Sequence, residues 1–267
     1  MPESEYCKLE KQFPSISFSD KDEKRNKSHS LLQLECQAII PRNYQKEIVC
    51  QYKQCYTWST LVHKANLSIG VKSVRIGGFP LLDNYHWLDS FPTVEQRKHG
   101  VCLITRYQPS AAKRIEVFNN LEIEKHCYGK IPYCTPYYQG VIGETEQDTW
   151  PSSLAKLKVL SQYKFCLCFE NCFVDPWASD YLTEKIFDCF KSKTIPIYYG
   201  ATNVQEHIPE DLYIDYRKFK SDSELTEYLH FFSNEDFNKT TEKAFNWVKQ
   251  SRYGNAEDLV RIFKANE

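Results

Sequence analysis

The chain has 267 residues, room for one large domain or two modest ones, and its 42% hydrophobic and 26% charged composition is that of a globular protein with a real core. Its 34 Lys and Arg stand against 35 Asp and Glu, a formal charge of -1, so no global field selects nucleic acid or an anionic membrane and any anion must be bound locally. No apolar run approaches the roughly 20 residues of a spanning helix, and the start MPESEYCKLEKQF lacks the apolar centre of a signal peptide, so the chain as given reads as unexported and cytoplasmic.

The 11 cysteines are an odd number scattered through apparent strands and loops, which fits a reduced compartment better than a disulfide framework. Paired C-x-x-C knuckles are lacking, and Cys166 and Cys168 stand at strand spacing in an apolar run, so the sequence implies no metal site. The sequons at Asn26, Asn66 and Asn238 matter only in a secreted form.

Residues 1–29 are rich in Lys, Asp, Glu and Ser and read as a charged, loosely docked arm. Short apolar runs at 31–35, 47–52 and 55–62, separated by turn formers, predict strands and a helix in a small α/β unit over 30–94, with a loop-rich stretch at 70–93. From 95 to the end the pattern is clearer. VCLIT at 101–105 reads as a buried strand, and AAKRIEVFNNLE spaces Ile115, Phe118 and Leu121 along one helical face. Residues 152–161 read as a helix, 163–171 as a strand, 183–193 as a helix and 194–200 as a strand, a parallel β-α-β crossover with a ligand crevice at the strand ends. SELTEYLHFF and TEKAFNWVKQS complete the pattern as amphipathic helices.

The chemistry concentrates in 163–209. Glu170 and Asn171 close an apolar strand, and Ser179, Asp180 or Thr183 can cap the next helix, whose free N–H groups and positive dipole end suit an anion. Lys185 adds a point charge in the first turn, and Glu184 can accept hydrogen bonds from sugar or ribose hydroxyls. On spacing alone, Thr183 and Glu184 read more readily as ordinary first-turn capping residues and Lys185 as a solvated surface lysine.

The order YKFCLCFEN, YLTEK and TIPIYYG resembles the carboxy-terminal domain of glycosyltransferase family 10, the α-1,3/1,4-fucosyltransferases, closely over about 45 residues and more loosely from Lys98 to Leu229. The resemblance implies an α/β, GT-B-like fold in which two Rossmann-like domains face a cleft, here with the first one shortened. It implies an inverting transfer of fucose from GDP-fucose to a carbohydrate hydroxyl. By the same resemblance Lys185 contacts the diphosphate, Glu184 holds donor hydroxyls, and Glu170, Asn171, Tyr181 and Thr183 belong to the donor pocket. Arg114 stands where the family has an arginine opening the helix after the first strand of this domain, and with Lys185 it is expected to hold the donor diphosphate; Arg106 is its competitor. No D-x-D motif stands near the donor segment, so a divalent ion is possible but not implied. A Golgi location would follow only if a membrane anchor lies outside this chain.

On the acceptor side, Glu35 ends the run LLQLE and stands where the family has a glutamate of E-x-P type, with Gln37 in place of the proline or small residue. The resemblance makes Glu35 the general base, and YTWS at 56–59 resembles the strand before the acceptor-side loop. Only 34 residues precede Glu35, too few for a complete first half of such a fold. Two alternatives stay open: a transferase using another nucleotide sugar, and a non-catalytic nucleotide- or carbohydrate-binding protein.

Overall fold

Two all-parallel sheets carry the architecture in this computed structural model, which describes residues 13, 16–17, 28–33, 36–37, 39–76, 86–105, 111–130, 136–143, 153–251 and 257–266. The first sheet has four short strands in sequence order: β1 (Ile16–Ser17), β2 (Ser30–Gln33), β3 (Gln54–Thr57) and β4 (Ser73–Arg75). The second is built from β5 (Lys98–Ile104), β6 (Glu124–Tyr128), β7 (Tyr163–Phe169), β8 (Ile195–Tyr199) and β9 (Ile214–Asp215), in the spatial order β6-β5-β7-β8-β9. The chain thus moves outward from β5 to β6 and then reverses to lay β7 on the other side of β5. Connections leave the ends of β5 and β7 in opposite directions, which opens a crevice at the switch.

The helices are α1 (Lys46–Val49), α2 (Thr60–Ser68), α3 (Ala112–Asn120), α4 (Leu154–Leu160), α5 (Glu184–Lys191), α6 (Asp222–Phe231), α7 (Asn234–Gln250) and α8 (Glu257–Lys264). Serines open four of them. The hydroxyls of Ser59, Ser153, Ser221 and Ser233 accept from the third helical N–H of α2, α4, α6 and α7 at 3.0–3.3 Å.

Every residue of β7 is buried, as a central parallel strand covered on both faces requires. Phe165, Leu167 and Phe169 enter one core with Val117 and Phe118 of α3 and Leu225 and Leu229 of α6. Cys166 and Cys168 enter the other, with Phe187 and Phe190 of α5 and Val248 of α7. The compact thiols leave room for those two rings, each of which contributes about 1.5–3 kcal/mol by burial. All nine described cysteines are free thiols. Among the described residues no helix is long and apolar enough to cross a membrane.

Three details differ from the sequence expectations. Ile16–Ser17 pairs in parallel with Ser30–Leu31, and Phe13 and Ile16 are buried, so at these residues the charged arm contributes an edge strand. The α8 residue Phe263 packs edge-on against Phe13 at 5.3 Å and Tyr56 at 4.8 Å, so the end of the chain returns to the first sheet rather than completing the second unit. Phe118 on α3 and Leu121 just past its end are buried as expected, but Ile115 is only half-buried; Arg114 and Val117 complete the inward face in its place.

Phe263 is fully buried, so Phe263→Ala leaves a cavity where the two ends of the chain meet. Urea unfolding should show a loss of about 3–5 kcal/mol. A loss below about 1 kcal/mol would mean that α8 does not close the first unit.

Candidate functional site

At the end of β7 the chain places a carboxylate where no water reaches it. Glu170 is 0% exposed. Its Oε1 accepts the Thr183 N–H at 2.8 Å, and its Oε2 accepts the Thr183 hydroxyl at 2.7 Å and the Lys185 ammonium at 2.9 Å. A buried charge persists only with such partners. The backbone is tied as firmly: the Glu170 N–H donates to the Tyr199 carbonyl at 2.8 Å, and its carbonyl accepts from Arg114 at 2.8 Å. Gly200 closes this packing, because a Cβ there would lie 2.4 Å from Glu170 Cγ and 2.5 Å from the Tyr198 hydroxyl. The motifs F-E-N, T-E-K and I-P-I-Y-Y-G therefore meet on one side chain.

Thr183 occupies the N-cap position of α5, but its own side chain makes no cap bond; the Glu170 carboxylate holds the Thr183 N–H instead. Lys185 spends two of its three N–H donors, on Glu170 and on the Thr183 hydroxyl at 2.8 Å. Burial and the Arg114 charge oppose its protonation, but Glu170 and Glu184 outweigh them and raise its pKa above the ordinary lysine value. Beneath it, Lys156 pairs with the fully buried Asp188 at 2.7 Å, and both Lys156 and Lys185 lie 3.9 Å from Glu184. Burial works against ionisation of Glu184, yet Lys185 and Lys156 prevail and hold its carboxyl below the usual range, so at neutral pH it is an acceptor of hydrogen bonds only.

Arg114 reaches from α3 across the crevice between β5 and β7. It donates to Thr105 Oγ1 at 3.2 Å just past β5, and to the Glu170 carbonyl and, at 3.0 Å, Asn171 Oδ1 just past β7. Its Nε is buried and makes no hydrogen bond. Burial lowers its pKa and Glu170 counteracts this; a guanidinium remains charged throughout.

Three cations (Arg114, Lys156, Lys185) and three carboxylates (Glu170, Glu184, Asp188) make the cluster neutral overall. What gives it polarity is depth. Glu170 and Asp188 are 0% exposed, whereas the Lys185 side chain is 22% exposed beside the N-terminus of α5. The surface therefore offers an ammonium and helical N–H groups, suited to an anion, with one ionised carboxylate, Glu184, beside them to accept hydroxyls.

The expected residues Arg114, Glu170, Asn171, Thr183, Glu184 and Lys185 thus come together. Two do not line a pocket as expected: Glu170 supports Thr183 and Lys185 from beneath, and Tyr181 is 0% exposed, packed on Trp58 of the first unit at 5.3 Å. Asp180 does not cap α5; its carboxylate accepts from Thr60 instead. Glu35 and Arg106 lie outside the described residues. Sequence reading missed Lys156, Thr105 and Asp188, although Asp188 had a signal, an acidic residue inside the apolar run IFDCF. A cavity of about 920 Å³ near Tyr213, Phe219 and Tyr228 shares no residue with this cluster, so its size says nothing about the site.

Residues 94–263 match the family model described as glycosyltransferase family 10 (fucosyltransferase), C-terminal. The mouse 4-galactosyl-N-acetylglucosaminide 3-alpha-L-fucosyltransferase 9 is 30% identical over 161 residues, covering 58% of this chain and 39% of that protein. The alpha-(1,3)-fucosyltransferase of Helicobacter pylori is 40% identical over 76 residues, 28% of this chain and 15% of the relative. The chain accordingly spans well under half the length of these curated relatives. A solved alpha1,3-fucosyltransferase with GDP-fucose has a TM-score of 0.58 at 16% identity, covering 91% of this chain and 75% of that one. The T4 phage enzyme BGT in complex with its substrate UDP-glucose has a TM-score of 0.52 at 11% identity, covering 89% and 73%. At such identities the likeness establishes a shared GT-B-like fold of two facing α/β units.

Because the pKa of Glu184 is depressed from 4.5 in the folded protein, its contribution to stability is fully present above that value and is lost as pH falls through the folded value. Urea melts between pH 7 and pH 3 should lose stability below about pH 4.5, and Glu184→Gln should flatten that loss. An identical acid slope in the variant would contradict the ionised, lysine-flanked Glu184.

Proposed function

We propose, on the premise that this chain belongs to glycosyltransferase family 10, that it transfers fucose from GDP-fucose to a carbohydrate hydroxyl with inversion at the anomeric carbon. The observation that carries the reading is Lys185 beside the N-terminus of α5, held by Glu170 at the switch between β5 and β7. A departing diphosphate gains negative charge as the glycosidic bond breaks, so fixed cations and helical N–H groups stabilise the transition state more than the bound donor. In this reading Lys185 meets the diphosphate directly. Arg114, bound to the backbone and amide oxygens around Asn171, orients that strand end and supplies positive charge from behind. Glu184 accepts donor hydroxyls. These cations do the work a divalent ion performs elsewhere, so none is required.

Glu35, two residues beyond the end of β2, is proposed as the general base. It takes the proton from the acceptor hydroxyl as that oxygen attacks the anomeric carbon, and the bond to the diphosphate breaks with the electron pair leaving on GDP. The name of the mouse relative makes a 4-galactosyl-N-acetylglucosaminide the first acceptor to try. The fold shared with an enzyme that uses UDP-glucose supports a second reading, transfer from another nucleotide sugar.

Binding and transfer separate under mutation. Lys185→Ala should weaken GDP binding about tenfold or more by calorimetry, the loss of one charge-assisted hydrogen bond. Glu35→Gln should keep GDP affinity while transfer falls on the order of 10²–10⁴-fold. Undiminished transfer by Glu35→Gln would require another base, and unchanged GDP affinity in Lys185→Ala would remove the phosphate assignment.

A further inference from the structure

Asp180 lies directly before the donor segment, yet its side chain turns away from it. The backbone there has φ of 64°, a left-handed conformation that L-residues other than Gly, Asn and Asp rarely adopt. This turn aims the carboxylate at the first unit. Its Oδ2 accepts the Thr60 N–H at 3.0 Å and the Thr60 hydroxyl at 2.8 Å. Its Oδ1 accepts Asn203 Nδ2 at 2.9 Å and lies 3.1 Å from His207 Nε2, while the Asp180 N–H donates to Asn203 Oδ1 at 2.8 Å. Asp180 is only 7% exposed.

The partners come from both halves of the molecule. Thr60 opens α2, three residues past the end of β3, and its hydroxyl oxygen also accepts from Arg75 at the end of β4. Asn203 and His207 belong to the connection after β8, and Asp180 to the connection after β7. The strand ends of the two sheets therefore meet on one carboxylate. The residue that follows, Tyr181, packs on Trp58 of the same turn, and α5 with Glu184 and Lys185 begins three residues later.

We infer that Asp180 is a positioning residue for transfer, fixing the Trp58–Thr60 turn of the first unit against the donor segment Tyr181–Lys185 so that an acceptor hydroxyl is carried to the donor's anomeric carbon. The inference rests on the fucosyltransferase reading, in which the first unit holds the acceptor. Attack requires the two atoms about 3–3.5 Å apart and in line, and a displacement on the order of 1 Å costs about 10²-fold in rate. Donor binding depends on the Glu170, Thr183 and Lys185 bonds, which lie within the second unit. Loss of the bridge should therefore reduce transfer and spare the nucleotide. The hydrogen bond with His207, then those from Asn203 and Thr60, overcome burial and hold the Asp180 carboxyl well below the usual carboxylate range, so the bridge is charged at neutral pH.

Asp180→Asn tolerates the same backbone and keeps the size, but its NH₂ must face Thr60 or the Asn203 and His207 pair. Thr60→Val removes one donor and leaves Asp180 in place should the first variant fold poorly. Expected are GDP affinity within about twofold of the parent, acceptor kcat/KM lower by about 10–100-fold in Asp180→Asn, and a smaller fall in Thr60→Val. Thr60→Val should add little on top of Asp180→Asn, because both break the same contact. Amide hydrogen exchange at Thr60 should accelerate in Asp180→Asn whether or not turnover is measurable. Equal falls in GDP affinity and transfer, additive effects, or unchanged Thr60 exchange would overturn the positioning role. A parent chain that binds GDP, transfers to no acceptor and still shows faster Thr60 exchange in Asp180→Asn would overturn the fucosyltransferase reading and, with it, the role in transfer, leaving only the bridge.

Discussion

A buried carboxylate bound by a threonine and a lysine organises this protein. Glu170 has left water entirely, which is tolerable only because Thr183 supplies two hydrogen bonds and Lys185 a charge-assisted third. Meeting that requirement draws the start of α5 onto the end of β7, and the Cβ-less Gly200 lets the connection after β8 close over the same side chain. Three segments far apart in sequence acquire fixed relative positions from one electrostatic constraint. Removing Glu170 would leave Lys185 without its deepest partner and the Thr183 N–H, directly before α5, without its acceptor.

The same constraint sorts charge by depth. A neutral group of three cations and three carboxylates has no inherent preference for an anion. By burying Glu170 and Asp188 and leaving Lys185 at the surface, the fold produces a local positive face on a chain whose formal charge is -1. Because the ammonium is anchored from below, it would need little reorganisation to meet an anion in the proposed role, which is the condition under which fixed charges are most effective in catalysis. Arg114 contributes to this face through the backbone of Glu170 and the amide of Asn171, a route that its position in the sequence does not reveal.

Much of this was legible in the sequence where local pattern and burial agree. The apolar run YKFCLCF is long enough to be a strand covered on both faces, and the helix 183–193 and strand 194–200 follow at the spacing a parallel crossover demands. The T-E-K segment marks a helix start, with Glu184 opening α5 directly after Thr183. The inward role of Glu170 was not legible, because a strand-end glutamate looks alike whether it faces solvent or a half-buried lysine fifteen residues on. Arg114 misled the helix reading for a related reason: periodicity assigns apolar Ile115 to the core, whereas hydrogen-bond acceptors at Thr105, Glu170 and Asn171 draw the arginine inward. The edge strand Ile16–Ser17 and the return of Phe263 to the first sheet are long-range pairings with no local signature. The Asp180 bridge spans 120 residues to Thr60 and becomes visible only when both strand ends are in place.

In the proposed function, the Glu170-anchored Lys185 and the start of α5 recognise the diphosphate of a guanosine nucleotide. Calorimetric titration of the purified chain with GDP, GMP and guanosine tests it most directly. Loss of the terminal phosphate should weaken binding by about tenfold or more, the value of a charge-assisted hydrogen bond, and guanosine should bind weaker still. Equal affinity for GDP and GMP would rule out this role for Lys185, since the anion would then make no use of the cation that the buried carboxylate holds in place.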